Sequence, residues 1–338
     1  EEDGTKGLYY TNKNTEDNKT TYYFRGAVEN NYVKFGVYQQ KLSKYRGYYS
    51  STMTGGHFEY DTLSECQNAS SFNQSCTEVV YANSGDPMYW RIVRINEDGS
   101  IRLIYQGIAP NIIEDGATIG EYNFNIDNND NAYVGYMYGT PGSSSYEETH
   151  ANINDSIIKT ALDTWYDEYL LSYASYMADS GFCGDRSIYK EEGTGLGYEK
   201  KRTFYASYNR LENINQPQFI CLQSNDLYTI KNSVKGNKAL DYPIGLITAD
   251  EIVYAGGSRR LNESCYLNID STYFTMTPFS YDYGTYIYSI DSGTLLDSKP
   301  TTGVLNVALA RPVINLKATV EISSGDGTSS NPYVIKTS

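Results

Sequence analysis

The sequence predicts an α+β fold of mixed and antiparallel sheets, with one long helix, one short helix and long irregular loops. Segments rich in tyrosine, valine and isoleucine recur along the 338 residues and favour strands. Strands and helical patterns do not alternate as β-α-β units, and no internal repeat occurs, which favours α+β over a parallel sheet or a solenoid. With 40% hydrophobic and 20% charged residues, the composition is globular. We therefore expect a single domain over residues 1–338.

The N-terminal quarter combines short strands with polar segments. Residues 1–20 are polar and are predicted to be a lead-in segment. β-Branched and aromatic residues predict strands at 21–25 and 32–35. Residues 38–87 are dominated by Gly, Ser, Asn and Tyr, and we expect them to be irregular.

The clearest hairpin comes next. Residues 88–95 and 100–105 are two apolar-rich runs joined through Asp98-Gly99. These two residue types tolerate positive φ and are typical of a tight hairpin turn. The sequence therefore predicts an antiparallel pair here.

Two helices are predicted, one by periodicity and one by its ends. The apolar stripe of the long helix is formed by Ile158, Leu162, Trp165, Tyr169, Tyr173 and Met177. Asn154 or Asp155 is expected to cap its start and Gly181 to end it, since the stripe follows helical spacing between them. Thr248 and Glu251 form a capping box for the short helix, which a glycine pair terminates.

The C-terminal third returns to β structure. Apolar runs predict strands at 243–247, 266–278, 286–290, 304–310 and 312–316.

The charge of the chain argues against nucleic acid as a partner, and its hydropathy argues against a membrane-spanning segment within the chain. The net charge of −14 excludes nucleic acid as a partner, because no excess of Lys and Arg exists to replace phosphate counterions. No stretch reaches the roughly 18–20 apolar residues that span a bilayer. The chain opens on Glu1 without an initiator Met or a signal peptide. We expect an extracellular, cell-surface protein anchored through a segment outside this chain.

Five cysteines bear on the redox compartment. Cys66 and Cys76 bracket a polar loop, which suits a local disulfide. Cys183 and Cys221 each follow apolar residues, and we expect them to form a second bridge, which leaves the pairing of Cys265 open. There is no C-x-x-C and no Cys/His spacing typical of zinc. The alternative is five buried thiols in a cytosolic protein.

Several short blocks of the sequence stand out: residues 23–26 (YFRG), 29–33 (ENNYV), 90–96 (WRIVRIN), 133–139 (YVGYMYG), 182–187 (FCGDRS), 245–251 (GLITADE), 275–278 (TMTP), 311–316 (RPVINL), 325–328 (GDGT) and 331–335 (NPYVI). Together these blocks resemble a group of Gram-positive gut-bacterial surface proteins that often carry a pilin-type or other membrane-anchored N-terminus. Over residues 243–316 the chain also resembles the C-type-lectin-like domain shared with formylglycine-generating enzymes and with variable proteins of diversity-generating retroelements.

The resemblance implies a lectin-like C-terminal core over residues 243–316 and a binding or pilus-associated role. It transfers no catalytic residue. Residues 38–87 are an insertion relative to these proteins, which makes them a candidate specificity segment. The Glu-Pro-Asn and Trp-Asn-Asp signatures of calcium-dependent lectins are absent, as is the copper-binding cysteine pair of formylglycine-generating enzymes.

Tyrosine marks the candidate ligand-binding residues. The chain has 36 tyrosines and only two histidines, His57 and His150, which favours recognition over acid–base or zinc chemistry. Tyrosines with neighbouring acids can stack on sugar rings and accept hydroxyl protons. The candidates are Tyr273, Tyr281, Asp282, Tyr283, Tyr286 and Tyr288, with Tyr48 and Tyr49 in the 38–87 segment. Packing into a core is the alternative for each tyrosine.

Metal and catalytic motifs are short. Asn125, Asp127 and Asn129 alternate in a polar loop and are the candidates for calcium, although the EF-hand glycine and closing acid are missing, so a solvated turn is the alternative. No other cofactor is expected. Ser156 and Lys159 fit S-x-x-K, for which a helix cap and a solvated lysine are the favoured explanation.

These observations predict an extracellular, non-catalytic ligand-binding or adhesive module of a bacterial surface or pilus. Its partner is expected to be a host or microbial surface glycan or protein. One alternative is a structural pilin-like subunit that contacts its own copies, and another is a carbohydrate-active enzyme, whose paired carboxylates a sequence does not reveal.

Overall fold

The computed structural model describes residues 6–48, 57–69, 75–193, 196, 201–257, 265–291, 294–295 and 301–337. In these ranges the chain is a mixed α/β protein made mostly of sheets. The strands are β1 (Gly7–Thr11), β2 (Thr21–Arg25), β3 (Tyr32–Val37), β4 (Leu42–Tyr48), β5 (His57–Tyr60), β6 (Cys76–Ala82), β7 (Pro87–Ile95), β8 (Ile101–Gly107), β9 (Glu121–Asn123), β10 (Met137–Tyr138), β11 (Asn154–Asp155), β12 (Phe182–Cys183), β13 (Ile188–Gly193), β14 (Lys201–Tyr205), β15 (Leu227–Tyr228), β16 (Ile244–Gly245), β17 (Tyr273–Tyr281), β18 (Thr285–Asp291), β19 (Thr294–Leu295), β20 (Thr301–Gly303), β21 (Val307–Leu309), β22 (Val313–Leu316), β23 (Ile322–Ser324) and β24 (Tyr333–Ile335). The α-helices are α1 (Leu63–Asn68), α2 (Tyr146–Thr149), α3 (Ile157–Tyr169) and α4 (Ala249–Tyr254).

Two large sheets carry the fold. The first has the order β16-β22-β8-β7-β3-β24-β23, with β2 beside β7 and β1 beside β2. The second has the order β13-β14-β17-β18-β19, with β20 beside β18 and with β21 between β17 and β9. Most pairs are antiparallel, while β24–β3 and β17–β21 are parallel. Mixed and antiparallel sheets are thus confirmed.

The hairpin predicted from Asp98-Gly99 is confirmed as the pair β7–β8. Ile95 lies opposite Ile101, and Gly99 adopts φ 81°. The hairpin places Arg91, Arg94 and Arg102 inside the protein, where they bind main-chain carbonyls and acids from other segments.

The segments expected to be unstructured contain more strand than predicted. Residues of the lead-in form β1, which pairs along all of β2, and the rings of Tyr9 and Tyr23 lie 5.8 Å apart across this pair. The 38–87 segment forms its own three-stranded sheet, in the order β5-β4-β6, with α1 beside it. Thr62 and Glu65 form a capping box at the start of α1.

Helix α3 is shorter than its apolar stripe predicts. It is capped by Ser156, whose side chain accepts from the Lys159 amide, and not by Asn154 or Asp155. After Tyr169 the chain tightens into a 3₁₀ turn over Leu171–Tyr176. This turn brings Tyr173 edge-on to Phe35, with ring centroids 5.3 Å apart, so packing against β3 ends the helix before Gly181.

Helix α4 begins where its capping box predicts. Thr248 accepts from the Glu251 amide, and the Glu251 carboxylate accepts from the Thr248 amide. Both hydrogen bonds satisfy N–H groups that have no partner inside the helix.

Aromatic side chains join α3 to the first sheet. The ring centroids of Trp165 and Tyr105 lie 5.5 Å apart, and those of Trp90 and Tyr105 lie 5.3 Å apart. Trp90 is fully buried, and its indole N–H donates to the Phe35 carbonyl at 2.8 Å. The Tyr38 and Tyr105 hydroxyls are 2.7 Å apart. This cluster fixes α3 relative to the start of the 38–87 segment.

Both predicted disulfides are present. Cys66 is bonded to Cys76, and Cys183 to Cys221, across sequence separations of 10 and 38 residues. Cys265 is a buried free thiol, and burial raises its pKa to about 11. Within the described ranges, no helix is long and apolar enough to cross a membrane.

Candidate functional site

The tyrosines of the C-terminal cluster do not form one binding face. Tyr273, Tyr281 and Tyr288 are at most 3% exposed, so the prediction that they bind ligand at the surface is wrong for this structure. Their hydroxyls donate inside the protein, for example from Tyr273 to the Leu267 carbonyl at 2.9 Å. They are buried because both faces of β17 and β18 are covered.

The remaining candidates lie on separate elements. Asp282 forms two hydrogen bonds with Arg202, at 2.6 and 2.5 Å, and is already paired. Tyr283 is 89% exposed at the β17–β18 turn, and Tyr286 is half-buried in β18. Tyr48 lies in the separate three-stranded sheet, with its ring 5.4 Å from that of His57. Tyr49 lies outside the described residues.

Two of the three side chains proposed for calcium use an oxygen in a hydrogen bond within the loop. The Asn125 side chain donates to the Tyr133 carbonyl and accepts from the Ile126 amide, and Asp127 accepts from the Asn128 amide. The last two bonds join a side-chain oxygen to the amide of the next residue, so each of these oxygens already has a donor. Calcium binding by Asn125, Asp127 and Asn129 stays a prediction.

In the described part of the chain, three acidic side chains converge at one other place, Asp155, Asp163 and Asp241. The ammonium group of Lys159 lies among them, 3.1 Å from Asp155, 2.6 Å from Asp163 and 3.9 Å from Asp241. Burial raises the pKa of Asp163 to about 6. The ammonium group of Lys159 therefore already supplies the positive charge that a metal ion would bring to these carboxylates.

The S-x-x-K motif is thereby explained without catalysis. The Ser156 hydroxyl donates to the Tyr136 carbonyl at 2.8 Å while it caps α3. Lys159 is fully buried, so the expectation of a solvated lysine is wrong, and three carboxylates hold it in its charged form. A charged lysine does not take a proton from serine.

Replacing Lys159 with methionine is expected to lower the free energy of unfolding by about 3 kcal/mol, because it leaves the largely buried carboxylate of Asp163 without a counter-charge. Urea denaturation followed by circular dichroism measures the loss. The control is Lys231→Met, which removes a lysine that also binds Asp241 but is 68% exposed. The control should change stability by less than about 1 kcal/mol. Equal effects of the two variants would contradict the account of the buried cluster.

His150 is a buried neutral histidine. It is 0% exposed, its ring stacks on that of Tyr146 at 4.2 Å, and its Nε2 lies 3.1 Å from the Tyr205 hydroxyl. Burial, and next the positive charge of Arg186, hold the pKa of His150 well below 6.5. The Thr149 hydroxyl lies 2.8 Å from its Nδ1, and both Thr149 and Tyr205 are, like His150, 0% exposed.

His150 should make the fold sensitive to acid. The unfolded chain binds a proton to this histidine below about pH 6.5, and the folded chain does not, so stability falls as the pH falls. Between pH 7 and pH 5 we expect a loss of about 2 kcal/mol from this residue. Urea denaturation at both pH values should show a smaller loss for His150→Gln. Identical pH dependence in the two proteins would show that His150 titrates normally.

An open groove lies between the start of the 38–87 segment and the outer face of α3. We call it the α3 groove. Its lining is formed by Gln40, Lys41, Leu42, Ser43, Lys44, Asp61, Tyr122, Ile126, Asp155, Ile157, Thr160, Ala161, Thr164, Trp165, Glu168 and Tyr169. Its volume is about 730 Å³. Small-molecule sites in proteins span roughly 300–1,000 Å³.

One wall of the groove is an exposed face of α3. Thr160, Thr164 and Glu168 are exposed and follow one another at four-residue intervals, so they lie on one face of α3. The Thr164 hydroxyl donates to the Thr160 carbonyl at 2.9 Å and needs no other partner. A substitution at Thr164 therefore changes the groove without opening the core.

The facing wall is charged and fixed to α3. The Tyr169 hydroxyl donates to the Lys41 carbonyl at 3.3 Å. Lys44 binds Asp61, and its ammonium group lies 4.8 Å from the centre of the Tyr122 ring. Burial disfavours the charged form of Lys44, but Tyr122 and Asp61 outweigh it and hold the Lys44 pKa above its usual range. The groove thus combines aromatic surface with a charged amine, carboxylates, hydroxyls and an amide.

No family model, curated protein or solved structure matches this chain. The family resemblance and the lectin-like fold therefore stay predictions.

Six of the sixteen residues that line the groove lie in the 38–87 segment, although Tyr48, a candidate named there, does not line it and Tyr49 lies outside the described residues. The 38–87 segment was a candidate for specificity, and residues 40–44 of it line the groove. Trp165 and Tyr169 were assigned to the core stripe of α3, and they are buried, although one edge of each reaches the groove. The other wall is the polar face of α3, and the polar residues opposite the apolar stripe of this helix are the sequence pattern that indicates it.

Proposed function

We propose that the protein is a non-catalytic, extracellular glycan-binding module and that its ligand lies in the α3 groove. The observation that carries this proposal is the groove itself, which is open and about 730 Å³ in volume. Among its polar side chains it is lined by the half-buried Tyr122 and by one edge each of the buried Trp165 and Tyr169. Concave sites with aromatic surface and a few directed polar groups are typical of small-molecule recognition.

The lining suits a sugar better than a purely apolar ligand. Sugar rings present C–H faces that pack on aromatic surface and hydroxyls that both donate and accept. Glu168 and Asp61 supply acceptors, while Gln40 and Lys41 supply donors. The mixed sign of these charges gives no preference for a highly charged ligand.

Two features support an extracellular location. Disulfides persist mainly in oxidising compartments, and the structure contains two of them. The acidic surface charge of the whole chain keeps an exposed protein soluble. We propose that a segment outside this chain anchors the protein to a bacterial surface, and that residues 243–316 form a lectin-like core.

A glycan array tests the proposal. The labelled protein is applied at micromolar concentration to host and microbial glycans, in parallel with an unrelated acidic protein. We expect saturable binding to a restricted group of related glycans. No binding to any glycan overturns the proposal, and so does binding that the acidic control protein reproduces.

A further inference from the structure

The hydroxyls on the α3 wall of the groove can only accept hydrogen bonds from a ligand. The Thr160 hydroxyl donates to the Ser156 carbonyl at 3.1 Å, and the Thr164 hydroxyl donates to the Thr160 carbonyl at 2.9 Å. A hydroxyl has one proton and two lone pairs. Because both protons are used inside the helix, only the lone pairs of the two exposed threonines are left for the groove.

The other polar side chains of the α3 wall have the same character. Asp155 and Glu168 carry carboxylates, which accept when they are ionised. The Tyr169 hydroxyl donates its proton to the Lys41 carbonyl, and the indole nitrogen of Trp165 is buried below the surface. Over the described residues 155–169, the side chains that line the groove therefore accept and do not donate.

The donors lie on the facing wall. Gln40 carries an amide NH₂ with two donors, and Lys41 carries an ammonium group with three. The Gln40 amide contacts the Tyr169 hydroxyl, and Lys41 binds Glu78, so each keeps at least one donor for a ligand. A ligand that lies across the groove is complementary when it donates toward α3 and accepts from the 40–44 segment.

The groove also has an aliphatic surface. Ile126 is 57% exposed, and its main-chain amide is held by the Asn125 side chain at 2.9 Å. Ile157 and Ala161 are half-buried and four residues apart, so they lie on one face of α3. All three side chains line the groove. A methyl group of a ligand that packs on this surface is removed from water, which is favourable.

We propose that the α3 groove selects sugars that carry an acetamido group. This inference rests on the proposed glycan-binding function and names the substrate class. An amide is planar and trans, so its N–H and C=O point in opposite directions. The N–H donates to the accepting α3 wall, the carbonyl accepts from Gln40 or Lys41, and the methyl group packs on the aliphatic surface. A plain hydroxyl on the same ring carbon has no methyl group and does not extend to both walls.

A peptide contains the same amide but complements the groove less well. Each edge of an extended peptide presents N–H and C=O groups in alternation. A peptide along the groove would therefore place carbonyls against Asp155, Glu168 and the threonine oxygens, none of which donates. The hydroxyls of a sugar donate to these acceptors instead.

Isothermal titration calorimetry with di-N-acetylchitobiose and cellobiose tests the proposal. The two disaccharides share their rings and linkage and differ only in acetamido or hydroxyl groups at carbon 2. We expect di-N-acetylchitobiose to bind saturably and at least about tenfold more tightly than cellobiose. An acetylated and amidated peptide of three alanines, which carries amides without a sugar, should not bind.

Ile126→Ser tests the position of the acetamido group. It shortens an exposed side chain, so the fold is retained, and it should bring the ratio of the two affinities close to one. Ile113→Ser is the matched control, because Ile113 is 53% exposed and does not line the groove. Its affinity ratio should equal that of the wild type.

The possible failures are distinguishable. Equal affinities for di-N-acetylchitobiose and cellobiose overturn the acetamido inference and leave the glycan-binding proposal intact. No binding of di-N-acetylchitobiose also overturns it, and a glycan array without any bound glycan removes the proposed function as well. An unchanged ratio in Ile126→Ser, or a peptide that binds as tightly as di-N-acetylchitobiose, overturns the assignment of the acetamido sugar to this groove.

Discussion

Replacing Cys183 and Cys221 together by serine is expected to lower the free energy of unfolding by about 4 kcal/mol, from the loop-closure relation for a 38-residue separation. The bridge removes conformations from the unfolded chain, and a longer loop loses more of them. Urea denaturation of the double variant and the wild type at pH 7 measures the difference.

Replacing Cys66 and Cys76 by serine provides the matched comparison. Its separation of 10 residues predicts a smaller loss, by about 1 kcal/mol. Thiol counting on the denatured wild type should give one free thiol, that of Cys265. Five free thiols, or two double variants as stable as the wild type, would contradict both the disulfides and the extracellular proposal.

Replacing Thr164 with tryptophan is expected to weaken glycan binding at least about 100-fold, which corresponds to about 2.7 kcal/mol. The indole would occupy the groove from its α3 wall, while the exposed position leaves the core intact. The best glycan from the array, titrated against the purified variant by calorimetry, gives the affinity.

Ser172→Trp is the control for this variant. Ser172 is also a small, exposed hydroxyl residue, in the 3₁₀ turn after α3, and it does not line the groove. Its affinity should equal that of the wild type. Equal loss in both variants would indicate a general effect of added aromatic surface, and no loss in Thr164→Trp would place the ligand elsewhere.

Short sequence motifs predicted those turns and helix starts whose geometry depends only on residues adjacent in the chain. The Asp98-Gly99 turn and the Thr248–Glu251 capping box each occupy four residues or fewer, and both occur as expected. The three-stranded sheet in the 38–87 segment was missed because β4 is specified by pairing with two other strands, not by its own composition. The Thr62–Glu65 capping box at the start of α1 is a local sequence signal for structure in this segment.

Burial of individual tyrosines was not predictable from composition. Tyr281 and Tyr283 stand two residues apart in the same aromatic-rich stretch, yet the first is 3% exposed and the second 89%. The difference arises because Tyr281 donates to the carbonyl of Asn129, which is distant in sequence, whereas Tyr283 lies on the turn. Such contacts depend on the assembled sheets.

The groove combines residues that only the tertiary fold brings together. Lys41 and Thr164 are far apart in sequence, and they line one cavity because the aromatic cluster around Trp165 holds α3 beside the start of the 38–87 segment. The sequence predicts that this segment contributes to specificity, but no local pattern indicates that α3 forms the facing wall.

The crystal structure of the protein with its best array glycan tests the central proposal most directly. We predict that the sugar lies in the α3 groove, between the 40–44 segment and Thr164, with hydrogen bonds to the polar side chains of both walls. A sugar bound at another surface, such as the exposed Tyr283, would contradict the account.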